Sequence, residues 1–187
     1  APRAPGKSAA LHPPDLAVRL GGLSLPNPIL TASGTFGYGL EFGHLAALDR
    51  LGGIVTKGLS LEPLKGNPPP RIGEPRGGML NSIGLQNPGV DHVVKSILPD
   101  LDFTETRFIA NVSGSTVEEY VEVTARFDDS PIDAMEINIS CPNVKEGGVQ
   151  FGNSPEMSAR VVAACRKVTK KPLITKLSPN QTDIQEN

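Results

Sequence analysis

An α/β fold with a parallel sheet covered by helices is predicted by two features of the chain. Four short β-branched runs are apolar on both faces: Gly53 to Lys57 (GIVTK), Arg107 to Asn111 (RFIAN), Ala134 to Asn138 (AMEIN) and Pro172 to Lys176 (PLITK). Strands buried between two layers read this way, and helical patterns alternate with these. Every run ends in Lys or Asn, and three pass quickly into turn chemistry, at Gly58, Ser113-Gly114-Ser115 and Ser140-Cys141-Pro142. In a barrel of parallel strands the C-terminal strand ends open on one face, which carries the catalytic groups. Two Lys, two Asn and a Cys then converge on one pocket, a set suited to an anionic, carbonyl-rich ligand and to thiol chemistry.

The elements follow in order. Residues 1–15, rich in Pro and Ala without apolar period, read as a disordered leader. Ala17 to Leu20 and Leu23 to Leu25 flank Gly21-Gly22 and predict a hairpin, placed to close the bottom of a barrel. Pro28 to Ala32 predicts a first buried strand, and the spacing of Phe42, Leu45, Ala46 and Leu48 predicts a short helix over Glu41 to Arg50. After the strand ending at Lys57 comes a Pro/Gly-rich segment, Leu59 to Asn87, read as a structureless active-site loop, then helical residues from about Gly89 to Leu98. A helix from Ser115 to Phe127 opens on Ser115-Thr116-Val117-Glu118, the Ser-x-x-Glu form of a capping box. Another, Ser154 to Thr169, has Pro155 at its first position and Glu156 in its first turn. A last strand ends at Lys176. Five strands do not close a barrel, and a complete (β/α)8 TIM barrel needs roughly 250 residues. Residues 16–187 are therefore expected to be the N-terminal portion of one, covering its first five strands.

A length of 187 residues supports one substantial core. A net charge of −2 and a pI near 5.9 give no electrostatic footprint for nucleic acid. No apolar run reaches the roughly 18 residues of a membrane span, and the start lacks a signal peptide's apolar core, so a cytoplasmic location is expected. Cys141 and Cys165 are the only cysteines and read as reduced thiols.

Cys141 lies between a strand end and Pro142, with Ser140 and Asn143 beside it, and is the candidate catalytic thiol. Cys165 sits within a helical pattern and reads as core. Lys57 and Lys176 end apolar strands; a single such Lys would be a snorkelling side chain, whereas two, with Asn111 and Asn138 between them, suggest ammonium groups facing an anion and amides reading carbonyl and N–H groups. The segments Ala32-Ser33-Gly34-Thr35 and Gly77 to Asn87 combine close-approach glycines with polar side chains, a mixture that suits a planar polar ligand. No metal is assigned: His12 falls in the leader, and His44 and His92 fall in predicted helices without partners at ligand spacing. No CxxC pattern or GxGxxG after a strand encodes an iron–sulfur or Rossmann site.

Taken together, TASGTFGYG, TKG, the segment Asn67 to Arg71, GGMLNSIGLQNPG, IANVSGS, EINISCPNVKEGG, FGNSPE and KLSPN occur in an order that closely resembles the class 1 dihydroorotate dehydrogenases. The resemblance runs from about Val18 to the end, and the Gly-Gly-Met-Leu and Gln-Asn-Pro-Gly borders of the long loop are most similar to the 1B catalytic subunit. It implies an FMN-containing α/β barrel that oxidises dihydroorotate to orotate in pyrimidine synthesis. Cys141 would remove the C5 proton while hydride leaves C6 for the flavin. Ala32, Ser33, Gly34, Thr35, Lys57, Gly58, Asn111, Asn138 and Lys176 would bind FMN, with Lys176 balancing charge on the reduced ring. Lys57, lying between flavin and substrate, would hold the substrate with Asn81, Ser82, Ile83, Gly84, Leu85, Asn138 and Asn143. The resemblance further implies a homodimer of catalytic subunits, an electron-transfer subunit carrying FAD and a 2Fe–2S cluster, and NAD as final acceptor. It also implies that the absent strands complete the FMN phosphate site.

Two other readings compete. A dihydropyrimidine-dehydrogenase-like FMN barrel is similar around the Asn-x-Ser-Cys-Pro turn, but carries its thiol further along the loop, where this chain has Glu146-Gly147-Gly148. A noncatalytic fragment with an exposed sheet edge is the alternative outside enzymology.

Overall fold

The computed structural model describes residues 14–44, 47–140, 151–179 and 185. Of the expected leader, only Pro14 and Asp15 fall among these, and both are exposed. Strands β1 (Val18–Leu20) and β2 (Leu23–Leu25) form the expected antiparallel hairpin, with Leu20 opposite Leu23 and Gly21 at φ +58° in the turn. One face of β2 is buried through Leu23 and Leu25.

The central sheet has four parallel strands in the order β3 (Ile54–Val55), β6 (Phe108–Val112), β7 (Ala134–Asn138) and β8 (Leu173–Lys176). Spatial order follows chain order, and nowhere does the winding reverse. Alternation of side chains divides the sheet into two faces. Ile54, Phe108, Ala110, Val112, Met135 and Ile137 meet the helices. Val55, Ile109 and Ala134, with Ile174 packed beside them, meet Leu23 and Leu25 of the hairpin on the opposite face. The hairpin thus covers the N-terminal end of that face.

Among the described residues the helical layer has three segments. α1 (Val90–His92) continues through a π turn (Val93–Ile97) and a 3-10 turn (Leu98–Asp100); α2 spans Val117–Asp128 and α3 spans Pro155–Arg166. α2 buries Val117, Tyr120, Val123, Thr124 and Phe127 at helical spacing. Full burial of one such apolar side chain stabilises by about 2 kcal/mol. α3 starts as the sequence predicts: Ser154 Oγ accepts from Met157 N at 3.3 Å, and Pro155 occupies the first helical turn. Cys165 is fully buried beneath it, as core.

Four expectations require correction. Pro28 to Ala32 is not a buried strand: Leu30 alone bridges Gly53, and Ile29 is 61% exposed, because this segment sits at the sheet edge with one neighbour. Leu45 and Ala46 lie outside the described residues; on either side of them the expected helix over Glu41 to Arg50 gives way to two 3-10 turns, Leu40–Phe42 and Leu48–Arg50. Gly39 and Gly43 bracket the first turn, and one turn does not offset the cost of helix nucleation; His44 lies beyond it. The α2 cap is Thr116, not Ser115: Thr116 Oγ1 accepts from Glu119 N at 3.2 Å, and Glu119 Oε2 accepts from Ser115 N at 2.5 Å. The cap is thus shifted by one residue, and the Glu119 carboxylate reaches back to the N–H of Ser115, the residue before the cap, in place of the cap's own N–H that a capping box would use. Finally, Leu59 to Asn87 is not structureless. It holds a short antiparallel hairpin, β4 (Ile72–Gly73) with β5 (Leu80–Asn81), and its two ends are tied where Leu64 bridges Asn87.

Candidate active site

The inner face of the sheet changes character along the strands. Its lower layer, Val55, Ile109, Ala134 and Ile174, is apolar. Two residues further on, the same alternation places Lys57, Asn111, Glu136 and Lys176, and on β7 the next inward position is Asn138. Parallel register sets Asn111 beside Glu136 and Asn138 beside Lys176.

These side chains form one network. Lys176 Nζ donates to Ser33 Oγ at 2.8 Å and lies 3.9 Å from Glu136 Oε1. Asn111 Nδ2 donates to the same Glu136 oxygen at 2.5 Å, and Asn138 Nδ2 donates to Asn111 Oδ1 at 3.3 Å. Asn138 Oδ1 accepts from Ser140 Oγ at 2.6 Å and from Ser140 N at 3.3 Å. From the helical layer, Tyr120 Oη donates to the Asn138 carbonyl at 2.7 Å and anchors the end of β7. Gly58 leaves room for the network: a Cβ there would stand 2.7 Å from Asn111 Oδ1.

Beside the network is a cavity of about 540 Å³ lined by Ser33, Gly34, Thr35, Lys57, Asn67 and residues 81–85. Its first wall is a tight turn in which Thr35 N and Thr35 Oγ1 both donate to the Ala32 carbonyl, at 3.2 and 2.7 Å. Gly34 there has φ +83°, and nothing lies within 4 Å of where its side chain would be. The opposite wall is braced from behind. Asn67 Nδ2 donates to Ser82 Oγ at 2.7 Å and Asn67 N to the Ile83 carbonyl at 3.0 Å, while Arg71 Nε donates to the Asn67 carbonyl at 2.6 Å and its guanidinium also reaches Gln86. Gly84 has φ +74°, and a Cβ there would lie 2.6 Å from Asn67 N. Leu85 is the one non-glycine at positive φ among the described residues, at 54°, a conformation costing about 1 kcal/mol or more.

Lys57 stands between this cavity and a second, of about 480 Å³, walled by Tyr38, Glu41, Leu64 and Gln86 among others. Burial holds the Lys57 ammonium below the usual lysine range, and no carboxylate pairs with it among the described residues. Burial, then Glu41, pushes the Tyr38 phenol up to about 12.

The structure therefore brings together Ser33, Gly34, Thr35, Lys57, Asn81, Ser82, Ile83, Gly84 and Leu85 around one cavity, with Asn111, Asn138 and Lys176 in the adjoining network and Gly58 against it. Ala32 supplies the carbonyl that closes the turn. Asn111 is 0% exposed, so it acts from behind the rim. Cys141 and Asn143 lie outside the described residues; Ser140 is the last described residue before them. Sequence reasoning missed Glu136, whose signal is a charge inside an otherwise apolar strand, and passed over Asn67 and Arg71 as cavity braces. No group of three or more His, Cys, Asp or Glu gathers among the described residues.

A parallel α/β sheet wound in one direction, apolar below and polar at its C-terminal edge, with a cavity opening on that edge, defines the class of α/β proteins whose sites are built from strand ends. A family profile described as dihydroorotate dehydrogenase matches residues 15–187. The chain is 56% identical over 172 residues to a protein of Pelobacter propionicus named dihydroorotate dehydrogenase B (NAD(+)), catalytic subunit, with 91% of this chain and 57% of the relative covered. Equally named proteins of Geobacter metallireducens and Alkaliphilus metalliredigens are 55% identical over 174 residues and 52% over 170, covering 92% and 91% of this chain and 57% and 56% of theirs. The chain belongs to the dihydroorotate dehydrogenase family, and it spans about 57% of the length of the curated relatives it matches.

Proposed function

We propose that this protein takes part in the FMN-dependent oxidation of dihydroorotate to orotate in pyrimidine biosynthesis, as the catalytic subunit of a B-type, NAD-linked enzyme, and that its sheet is part of a (β/α)8 barrel. The observation that carries the reading is the pair of lysines at one strand-end rim, Lys57 at the cavity and Lys176 in the amide network, in a chain more than half identical to relatives of that name. The residues suit a flavin with an anionic substrate. The desolvated Lys57 lacks an anionic partner among the described residues, Gly34 leaves open space in a polar turn, and amide groups line the rim.

When bound, FMN supplies the two-electron acceptor for the hydride leaving C6. Ser33, Gly34, Thr35 and Lys176 would hold it from the rim, with Ala32, Gly58, Asn111 and Asn138 behind or beside them. Lys57 would offer its ammonium to the orotate carboxylate or carbonyls, and burial makes that charge more effective than in water. Asn81, Ser82, Ile83, Gly84 and Leu85 would form the substrate wall. Cys141 and Asn143, one and three positions after Ser140 in the sequence, belong to the proposed site by resemblance. A thiolate at Cys141 would take the C5 proton, which the adjacent carbonyl acidifies.

The relatives' designation as a catalytic subunit supports an electron-transfer partner, which the resemblance furnishes with FAD and a 2Fe–2S cluster, and we include a homodimer of catalytic subunits in the proposal. No helix among the described residues is long and apolar enough to cross a membrane. A cytoplasmic location rests on the sequence.

The test is anaerobic mixing of the FMN-loaded protein, at its full natural length, with dihydroorotate while flavin absorbance is followed. Bleaching is expected. A protein that binds FMN yet is bleached by dihydropyrimidines and not by dihydroorotate would overturn the substrate.

A further inference from the structure

The wall formed by Ile83, Gly84 and Leu85 hangs on a residue that does not line the same cavity. Asn87, to which the resemblance gives no role, borders the second cavity and is 5% exposed. Both halves of its amide are fully occupied. Oδ1 accepts from Gly89 N at 2.9 Å and from Ser60 N at 3.3 Å, while Nδ2 donates to the Leu85 carbonyl at 2.8 Å and to Ser60 Oγ at 2.9 Å. The one Ser60 hydroxyl proton goes to the Glu62 carbonyl at 2.7 Å in preference to Asn87 Oδ1 at 3.2 Å, which leaves Ser60 Oγ as an acceptor. Ser60 N and Gly89 N are backbone groups that donate and never accept, so the amide oxygen must face them and the NH₂ must face Leu85. A reversed amide would set its oxygen against the Leu85 carbonyl.

Ser60 is in turn fixed to the sheet. Its neighbour Leu59 donates to the Asn111 carbonyl at 3.0 Å and accepts from Ser113 N at 2.9 Å, and the Ser60 carbonyl accepts from Val90 N at 3.0 Å. Lys57 lies on the same strand exit, with its N–H donating to the Gly37 carbonyl at 2.8 Å. The Asn87 main chain is held by a reciprocal pair with Leu64, at 2.9 and 3.0 Å. Its side chain therefore ties the Leu85 carbonyl to the exit of β3, across the cavity that Lys57 and Leu85 both line. Leu85 is also the residue that needs holding, because a side chain at φ +54° is strained and persists only where its surroundings fix it.

We infer that Asn87 is a positioning residue: acting through the Leu85 carbonyl, it fixes the spacing between the Lys57 rim and the Gly84–Leu85 wall, and so sets the affinity for substrate without touching it. On the cofactor side, Lys176 bonds to Ser33 and Thr35 to Ala32, with no bond to Asn87. Substrate and cofactor affinities should accordingly separate.

This inference rests on the proposed function for the identity of the substrate, and orotate is the probe. The experiment compares the native FMN-loaded protein, at its full natural length, with Asn87→Asp and Gln86→Glu. Asn87→Asp keeps oxygens for Ser60 N and Gly89 N and replaces the donor to Leu85 with an acceptor. Gln86→Glu introduces the same charge one residue away and leaves the Asn87 bonds in place. Three quantities are read: the orotate dissociation constant, the FMN dissociation constant, and the Leu85 carbonyl-carbon resonance by NMR without orotate. Asn87→Asp is expected to displace the resonance and weaken orotate about tenfold, with FMN affinity within about twofold of native; Gln86→Glu should leave both affinities within about twofold. A folded Asn87→Asp protein with native orotate affinity or a native Leu85 resonance overturns the inference. So does equal weakening of FMN and orotate, the mark of a merely structural role, and so does equal weakening of orotate in Gln86→Glu, the mark of charge alone. Should Asn87→Asp not fold, Asn87→Ala decides by the same readings, and any state other than a folded protein with orotate alone weakened overturns the inference. A native protein that binds FMN and no orotate would instead count against the proposed function, and the resonance comparison would still decide whether Asn87 holds Leu85.

Discussion

Lys176 donates to Ser33 at 2.8 Å across 143 residues of chain, joining the two opposite edges of the sheet. Ser33 follows Leu30, which pairs with Gly53 at one edge, and Lys176 ends β8 at the other. Neighbouring strands are about 4.8 Å apart, so four intervals in a flat sheet would separate these segments by roughly 19 Å. The hydrogen bond therefore requires the sheet to curl strongly about its inner face. Contact between Gly22 and Pro172 at the other end, where a Gly22 Cβ would lie 3.6 Å from Pro172 Cγ, fits the same curl.

Removing the Lys176 ammonium should act on the ligand site and the curl together. Lys176→Met is expected to weaken FMN binding about tenfold or more, the loss of one charge-assisted hydrogen bond. Flavin fluorescence titration checks this; unchanged affinity would place Lys176 away from the cofactor.

Gly58→Ala should be destabilising out of proportion to its size. The new methyl would stand 2.7 Å from Asn111 Oδ1 in a buried network, and overpacking of this kind costs about 1–3 kcal/mol. Urea unfolding measures it, and a change within about 0.5 kcal/mol would show that the strand end yields.

Lys57 gives a pH dependence of definite sign. Its folded-state pKa is lowered by burial, so the folded protein holds that proton less tightly than the unfolded chain does. The destabilising contribution is full below the folded value and is relieved as pH rises toward the ordinary lysine value. An anionic ligand favours the charged form and should raise the Lys57 pKa on binding. Orotate affinity should accordingly fall as pH climbs through the lowered value, with proton uptake on binding seen by calorimetry in buffers of different ionisation enthalpy. Lys57→Gln should abolish that uptake; uptake unaltered in the variant would assign it elsewhere.

The two thiols should separate cleanly. Cys141→Ser is expected to slow flavin reduction by dihydroorotate by about 100-fold or more near neutral pH and to shift its activity upward in pH, a hydroxyl being a far weaker acid. Cys165→Ala should leave reduction rates intact and lower stability by about 1 kcal/mol, since Cys165 is fully buried and its thiol is pushed up by burial. Equal kinetic effects from both substitutions would contradict this division.

The α2 cap offers a local check. Thr116→Ala should cost about 1 kcal/mol and Ser115→Ala much less, because only the Thr116 hydroxyl accepts from Glu119 N. Thermal unfolding of the two variants distinguishes them.

The strand ends were largely legible because an apolar run closed by Lys or Asn marks both the strand and its exit: β7 ends at Asn138 and β8 at Lys176 as expected, whereas β3 stops at Val55, two residues before Lys57, and β6 continues one residue past Asn111. Glu136 was not, since its meaning depends on a neighbour in space: only the register pairing Asn111 with Glu136 reveals a carboxylate turned inward. The apolar spacing of Phe42 and Leu48 suggested a helix that the glycines on either side of Leu40–Phe42 confine to one turn. In the long loop, β4 and β5 hold two residues each, too few for a periodic signal. Misplacement of the α2 cap by one residue reflects two adjacent hydroxyls, Ser115 and Thr116, each followed three positions later by a glutamate.

Because successive residues of each strand face opposite ways, the chain carries two interleaved texts. Ile54, Phe108, Ala110, Met135 and Ile137 are taken up with holding the helices, while Lys57, Asn111, Glu136 and Lys176 face the hollow. A mutation in the second set can rewrite what the hollow accepts without touching the first, and each βα unit contributes its own letter. A scaffold organised in this way is open to new chemistries one position at a time, with the helix-facing layer left standing at every step.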